Sequence, residues 1–304
     1  SMQIWDMNKR NGRKNQKLVC GPWMHKMNVS RDIHNINYGP DAVRYDMFCM
    51  YMRWYDHFLK GVDNGIDREE PVDYFVIGEN RWHKDTEWPP KCAVEKNLYL
   101  SSGDGASADG GALTFDRPVA AGEDHYVYDP DDPTPFLIDV SENECLVPEN
   151  YKDVELRDDV LVYTTEPLKE AVTIAGEPVA ILYAASSAKD TDWVVRITDL
   201  DQAGNSIRMC DGIVRAKFRK SFIEPKLLLP GEIVRYEIPM TWISNRFEVG
   251  HRIRVEVASG ADNSIFCNTN TGFPIVDDVD KVVAEQTVYS GGDHCSRVIL
   301  PIIE

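Results

Sequence analysis

The stretch Val179-Ala180-Ile181-Leu182-Tyr183-Ala184-Ala185-Ser186, followed after a polar break by Asp192-Trp193-Val194-Val195-Arg196-Ile197-Thr198-Asp199, decides the fold class of this 304-residue chain. Both runs are short, rich in Val, Ile, Tyr or Thr, and bounded by turn-forming residues such as Pro178, Asp190 and Gly204, which is how strands between turns read. The same grammar extends in both directions. Residues 97–101, 125–128, 159–164, 206–216, 232–240, 251–258, 284–289 and 296–302 are further runs of this kind. Short strands in series, with almost no helical periodicity between them, predict a mainly β unit built as an antiparallel sandwich or jelly roll.

Upstream the pattern changes. Lys17-Leu18-Val19-Cys20 is an apolar run stopped by Gly21-Pro22, a buried strand ending in a turn. Val43, Met47, Tyr51, Trp54, Tyr55, Phe58 and Leu59 form one apolar stripe of helical period, predicting a helix over 41–60 with Asp41 capping its start and Gly61 its end. Pro71 opens a second strand over 72–78. Strand, helix, strand is the grammar of an α/β layer. Charge separates the two regions: residues 1–60 hold ten basic against five acidic residues, and residues 100–165 hold three against sixteen. The boundary falls in the segment from Trp88-Pro89-Pro90 to Glu95, dividing the chain into residues 1–92 and 93–304.

The formal charge of −17 would repel phosphate backbones and anionic lipid, which argues against nucleic-acid and membrane partners. No apolar run is long enough for a transmembrane helix. The seven cysteines lie apart with no C-x-x-C pair, so neither a zinc site nor a disulfide framework is expected, and the odd count suits a reducing, cytoplasmic setting. Ser1-Met2-Gln3 opens no signal peptide and resembles the scar of a removed tag. Asp129, Asp131, Asp132 and Asp139 could offer oxygen ligands, but the spacing is not that of a calcium loop; no metal and no cofactor is expected.

The most informative residue is His25, in Gly21-Pro22-Trp23-Met24-His25. A loop histidine just beyond a buried strand is where an α/β-hydrolase keeps the base for its serine, because imidazole titrates near working pH and a loop can aim it. The segment 18–25 resembles the G-P-W-x-H stretch of the serine hydrolase family that contains cocaine esterase, α-amino-acid ester hydrolases, glutaryl-cephalosporin acylases and X-Pro dipeptidyl-peptidases. Further matches follow in the family's order: Phe58-Leu59-Lys60-Gly61, Val76-Ile77-Gly78 with Trp82, Trp88-Pro89, Tyr128-Asp129-Pro130 with Asp132-Pro133, Asp159-Val160-Leu161, Cys210-Asp211-Gly212-Ile213-Val214-Arg215, Gly250-His251-Arg252-Ile253, Asn268-Thr269-Asn270-Thr271-Gly272 and Leu300-Pro301. The resemblance implies that His25 is the triad histidine, that residues 1–92 are the last α/β segment of an α/β-hydrolase domain, and that residues 93–304 are a C-terminal jelly-roll sandwich of the galactose-binding type. It further implies that the segment after the Asp-Pro turn walls the acyl pocket, so Ile138 and Val140 become candidate substrate contacts. The family's usual Gly-Gly is missing there.

No nucleophile elbow G-x-S-x-G occurs; Ser102-Gly103 and Ser290-Gly291 lack the strand-elbow-helix setting. In the family the triad aspartate precedes the histidine by more residues than this chain has, and Asp6 is too close. A histidine without its serine has nothing to activate, so the isolated chain is expected to be inactive. The parent's substrate would be a small ester or amide. An incomplete α/β segment would also expose an edge and an apolar face, and a homodimer is one way to cover them. Cys20, five residues before His25, reads as the end of a buried strand rather than a nucleophile. Arg215, Arg252 and Arg254 read as an outer-face ladder pairing with Glu256. A competing reading makes the chain a stand-alone binding module, with Trp193 and Trp242 as a carbohydrate platform or with a protein partner; in strands such tryptophans more often belong to the core.

Overall fold

The computed structural model describes residues 2–25, 27–34, 36–102, 111–138, 148–274 and 277–304. The N-terminal part contains α1 (Met2–Arg10), β1 (Leu18–Cys20), β2 (Asp32–Ile33), β3 (Ile36–Asn37), α2 (Met47–Lys60), β4 (Val72–Val76) and β5 (Arg81–Asp85). The remainder is β6 (Ala93–Ser101), β7 (Gly111–Thr114), β8 (Gly122–Tyr128), β9 (Leu161–Thr165), β10 (Val172–Gly176), β11 (Val179–Ser186), β12 (Asp192–Leu200), β13 (Ser206–Arg215), β14 (Val234–Pro239), β15 (Ile243–Phe247), β16 (Arg252–Ala258), β17 (Ala284–Ser290) and β18 (Arg297–Ile303). The protein is mainly β, as expected. No helix among the described residues is long and apolar enough to cross a membrane.

Strands β6 to β18 join into one sheet in which the parallel pair β7–β9 is flanked by antiparallel neighbours. The sheet wraps a single apolar core that includes Leu98, Tyr128, Leu161, Trp193, Tyr236, Phe247, Val255 and Leu300, all nearly or fully buried. Alternation explains why: in β14 the pattern runs buried at Tyr236 and Ile238 and exposed at Arg235, Glu237 and Pro239, as a half-covered strand must. Trp193 and Cys210 occupy this core. β15 alternates in the same way, yet its Ser-Asn-Arg centre hides it from an apolar-run search.

The small sheet has the order β1-β4-β5, with β1 parallel and β5 antiparallel to β4. Its edge strands are β1 and β5. The helix over 41–60 starts late: Pro40–Ala42 form a 3-10 turn that ends at Val43 in extended backbone, so α2 begins at Met47. Asp41 therefore does not cap it, and Asp46 stands at the N-cap without a side-chain capping bond. Gly61 closes the helix as expected, with φ 72°. Met47 and Met50 are buried and pack with Ile66, Val19, Trp23 and Trp54. The rest of the apolar surface is uncovered: Phe48 is 72% and Leu59 77% exposed, with Tyr51 and Tyr55 beside them.

Backbone bonds tie the two parts together. Ile77 N–H donates to Ser244 O at 3.0 Å and Arg246 N–H to Ile77 O at 2.7 Å, extending β4 alongside β15. Gly78, at φ +87°, allows this approach, since a Cβ there would run into the Arg246 carbonyl. Trp88 is buried between the parts, stacked on Trp242 at 6.1 Å, in a cluster with Trp5, Tyr74 and Ala175.

Candidate active site

His25 leaves the fold at the C-terminal end of β1, the end at which the parallel pair β1–β4 presents its loops. Open α/β sheets gather their reacting groups at that end. Four residues brace the turn before it. Gly21 is needed because the Trp23 indole folds back over it, and a Cβ at Gly21 would lie 2.5 Å from Trp23 Cε2. Trp23 Nε1–H donates to Ala42 O at 2.6 Å, and its ring packs on Trp82 at 5.5 Å. Trp82 in turn donates to Asp41 O at 2.7 Å and carries the Arg44 guanidinium 4.9 Å from its ring centroid. Met24 packs with Ile33, Tyr38, Ala42 and Phe75. After this buried anchor His25 is exposed, and its imidazole has no hydrogen-bond partner among the described residues.

The other candidates take structural places. Cys20 is half-buried with its Sγ 4.0 Å from Met2 Sδ, and burial pushes its thiol up to about 12, the wrong direction for a nucleophile. Ser102 Oγ donates to Asp124 at 2.6 Å while Ser290 Oγ accepts from Ser102 N–H at 3.0 Å, so both serines are engaged in structural bonds. Asp131 pairs with Lys281, and Asp132 with Arg157. Among the described residues no group of three or more His, Cys, Asp or Glu could hold a metal ion. Ile138 is partly buried against Phe136, Val194 and Ala261, and Val140 lies outside the described residues. Trp193 is fully buried and has no free ring face for a sugar; Trp242 stacks on Trp88 and donates to Glu177 at 3.1 Å. His294 lies between Tyr183 and Tyr289, 5.5 and 5.8 Å away.

The arginine ladder is a correction. Arg254 is buried and pairs with Glu155, Arg215 pairs with Asp192 at 2.8 Å, and Glu256 binds Arg196 at 2.6 Å. Arg196 also reaches Asp211 at 3.0 Å, which Arg208 holds from its other side. Tyr151 lies over Arg196 with its ring centroid 3.8 Å from Cζ, and Phe136 packs beside it. This face of β12, β13 and β16 is covered by the segment around residues 148–160, so its charges are paired inside the protein. Desolvation by burial, helped by the neighbouring Glu155, lifts Glu256 to about 8 against the pull of Arg196.

Over residues 64–299 the chain matches the family described as the X-Pro dipeptidyl-peptidase C-terminal non-catalytic domain. The chain belongs to this family. A member-bearing relative is the cocaine esterase of Rhodococcus sp. (strain MB1 Bresler), 33% identical over 296 residues that cover 95% of this chain and 51% of that protein. Two solved structures are similar throughout. An α-amino acid ester hydrolase has TM-score 0.84 at 29% identity, covering 98% of this chain and 52% of that one, and an aminopeptidase from a marine sediment archaeon (Thaumarchaeota archaeon) has TM-score 0.82 at 28%, covering 95% and 50%. The X-Pro dipeptidyl-peptidase C-terminal family is thus represented here by a chain that spans about half the length of these relatives. The proteins it is similar to include an esterase, an ester hydrolase and an aminopeptidase.

Proposed function

We propose that this chain is the C-terminal part of a serine hydrolase that cleaves a small ester or amide through an acyl-enzyme, with His25 as the histidine of a Ser-His-Asp triad. The observation that carries the reading is the braced Gly21-Pro22-Trp23 turn at the end of β1, which presents an exposed imidazole with no partner among the described residues. His25 would take the proton of a serine hydroxyl supplied upstream as that oxygen attacks the acyl carbonyl, then return it to the leaving alcohol or amine. In the second half it would take a proton from water and return it to the serine as the acid departs. Residues 1–92 would be the last segment of the α/β-hydrolase domain and residues 93–304 the jelly roll that shapes the pocket, with Ile138 and Val140 as candidate wall residues. The free cysteines suit a reducing, cytoplasmic setting. The apolar face of α2, with Phe48 and Leu59 outward, would be covered in the parent or by a second copy.

The test is a fluorophosphonate probe together with p-nitrophenyl ester hydrolysis on the 304-residue chain and its His25→Ala variant, then on a chain extended upstream. The expected result is no labelling of the short chain, and labelling plus turnover of the extended one, with turnover lost in His25→Ala. Labelling of the short chain, or full turnover by the extended His25→Ala protein, refutes the proposal.

A further inference from the structure

Beneath the Gly21-Pro22-Trp23 turn, where the small sheet meets β13 and β15, lies a cavity of about 240 Å3. Its polar lining is one-sided. Although the chain carries a formal charge of −17, none of the described residues lining this cavity is Asp or Glu, and the one charged residue there is Arg208. Arg208 is only 6% exposed, and Asp211 fixes it through Nε, 2.9 and 3.1 Å from the two carboxylate oxygens, and through Nη2. Its remaining nitrogen, Nη1, makes no hydrogen bond among the described residues and is not sealed from solvent. That nitrogen is what Arg208 can offer to the cavity it lines.

Two other residues that line the cavity also carry donors without acceptors. Asn245 and Trp88, each 2% exposed, leave Nδ2 and Nε1 unbonded among the described residues. The walls are apolar and aromatic, with Trp88 and Trp242 stacked on one side and Phe75 on another. A guanidinium held by its own carboxylate, with one edge free, suits a carboxylate in the fork geometry that arginine favours. We infer that this cavity binds a small carboxylate anion with an apolar or aromatic body, its charge on Arg208 Nη1 and its body between Trp88 and Phe75. This inference does not depend on the role of His25.

Benzoate and its uncharged near-isostere benzamide test it on the 304-residue chain at neutral pH, by tryptophan fluorescence and by ligand-observed NMR. Benzoate is expected to saturate, with benzamide at least about tenfold weaker because it lacks the charge. Arg208→Gln should weaken benzoate about tenfold or more and leave benzamide nearly unchanged. Since that variant breaks a buried network, Ser244→Asp is the second arm: Ser244 lines the cavity and is only partly buried, so an added carboxylate should repel benzoate by a similar factor in a folded protein. Equal binding of benzoate and benzamide by the wild type overturns the inference, as does no saturation by about 20 mM benzoate. Benzoate binding that survives Ser244→Asp in a folded protein also overturns it.

Discussion

Gly21→Ala is the sharpest perturbation of the His25 turn, because Gly21 needs no unusual backbone angle and the whole effect is steric. The added methyl would stand 2.5–2.6 Å from three ring carbons of Trp23, well inside contact distance. The ring cannot move cheaply, being held at Ala42 O and against Trp82. Displacing it forfeits one hydrogen bond, about 1 kcal/mol, and one aromatic pair, about another 1 kcal/mol. The expected loss is about 2 kcal/mol, or roughly 3 °C in Tm for a chain of this size. Near-UV circular dichroism should report the freed indole. In an extended, active chain the same change should lower kcat about 10- to 100-fold by misplacing His25, with a smaller effect on KM. A cycle with Trp23→Phe decides the cause: the smaller ring relieves the clash, so the double variant should be more stable than additivity allows. A Tm within about 1 °C of the wild type with an unchanged near-UV spectrum, or strictly additive effects, would refute the reasoning.

Three other outcomes are expected. Arg196→Leu should cost about 1–3 kcal/mol in urea unfolding, because it leaves Asp211 to Arg208 alone and takes the donor from the buried Glu256 carboxyl; a loss under about 0.5 kcal/mol would mean that the network is hydrated. Glu256 keeps a proton up to about pH 8 in the folded protein, whereas the unfolded chain has released it above its ordinary value of 4.5. Stability should therefore fall as pH rises through that window, by up to about 1.4 kcal/mol per unit for this one proton, and the difference between wild type and Glu256→Gln isolates that slope; a wild-type-minus-variant difference that is flat or rises with pH contradicts it. The chain is expected to self-associate through the open face of α2, and Tyr55→Glu with Leu59→Glu should abolish this in sedimentation velocity without lowering Tm; a monomeric wild type, or unchanged association of the variant, contradicts that expectation.

What could be read from the residues alone was local. Val179–Ser186 is predicted end to end because period, composition and bounding turn residues all lie within ten positions. The Gly21-Pro22 turn is legible for the same reason, and His25 falls just beyond it. Helix α2 was legible in existence and C-terminus but not in its start, since Asp41 and Asp46 are equal as caps on paper and only the extended backbone at Val43 separates them. Its stripe was visible, but not that half of it would face no neighbour.

The burial of Arg196, Arg208 and Arg254 could not be read in this way. Polar residues alternating along a strand point to the face opposite the core, and their sequence is the same whether that face meets water or is covered by residues 148–160. The cavity is the extreme case: Trp23, Phe75, Trp88, Arg208 and Asn245 come from positions up to 222 residues apart, and no spacing rule links them. Periodicity is a property of a few consecutive residues, so it specifies elements and turns. Which side of an element is covered, and what its buried charges meet, depends on long-range packing, and that only the tertiary structure decided.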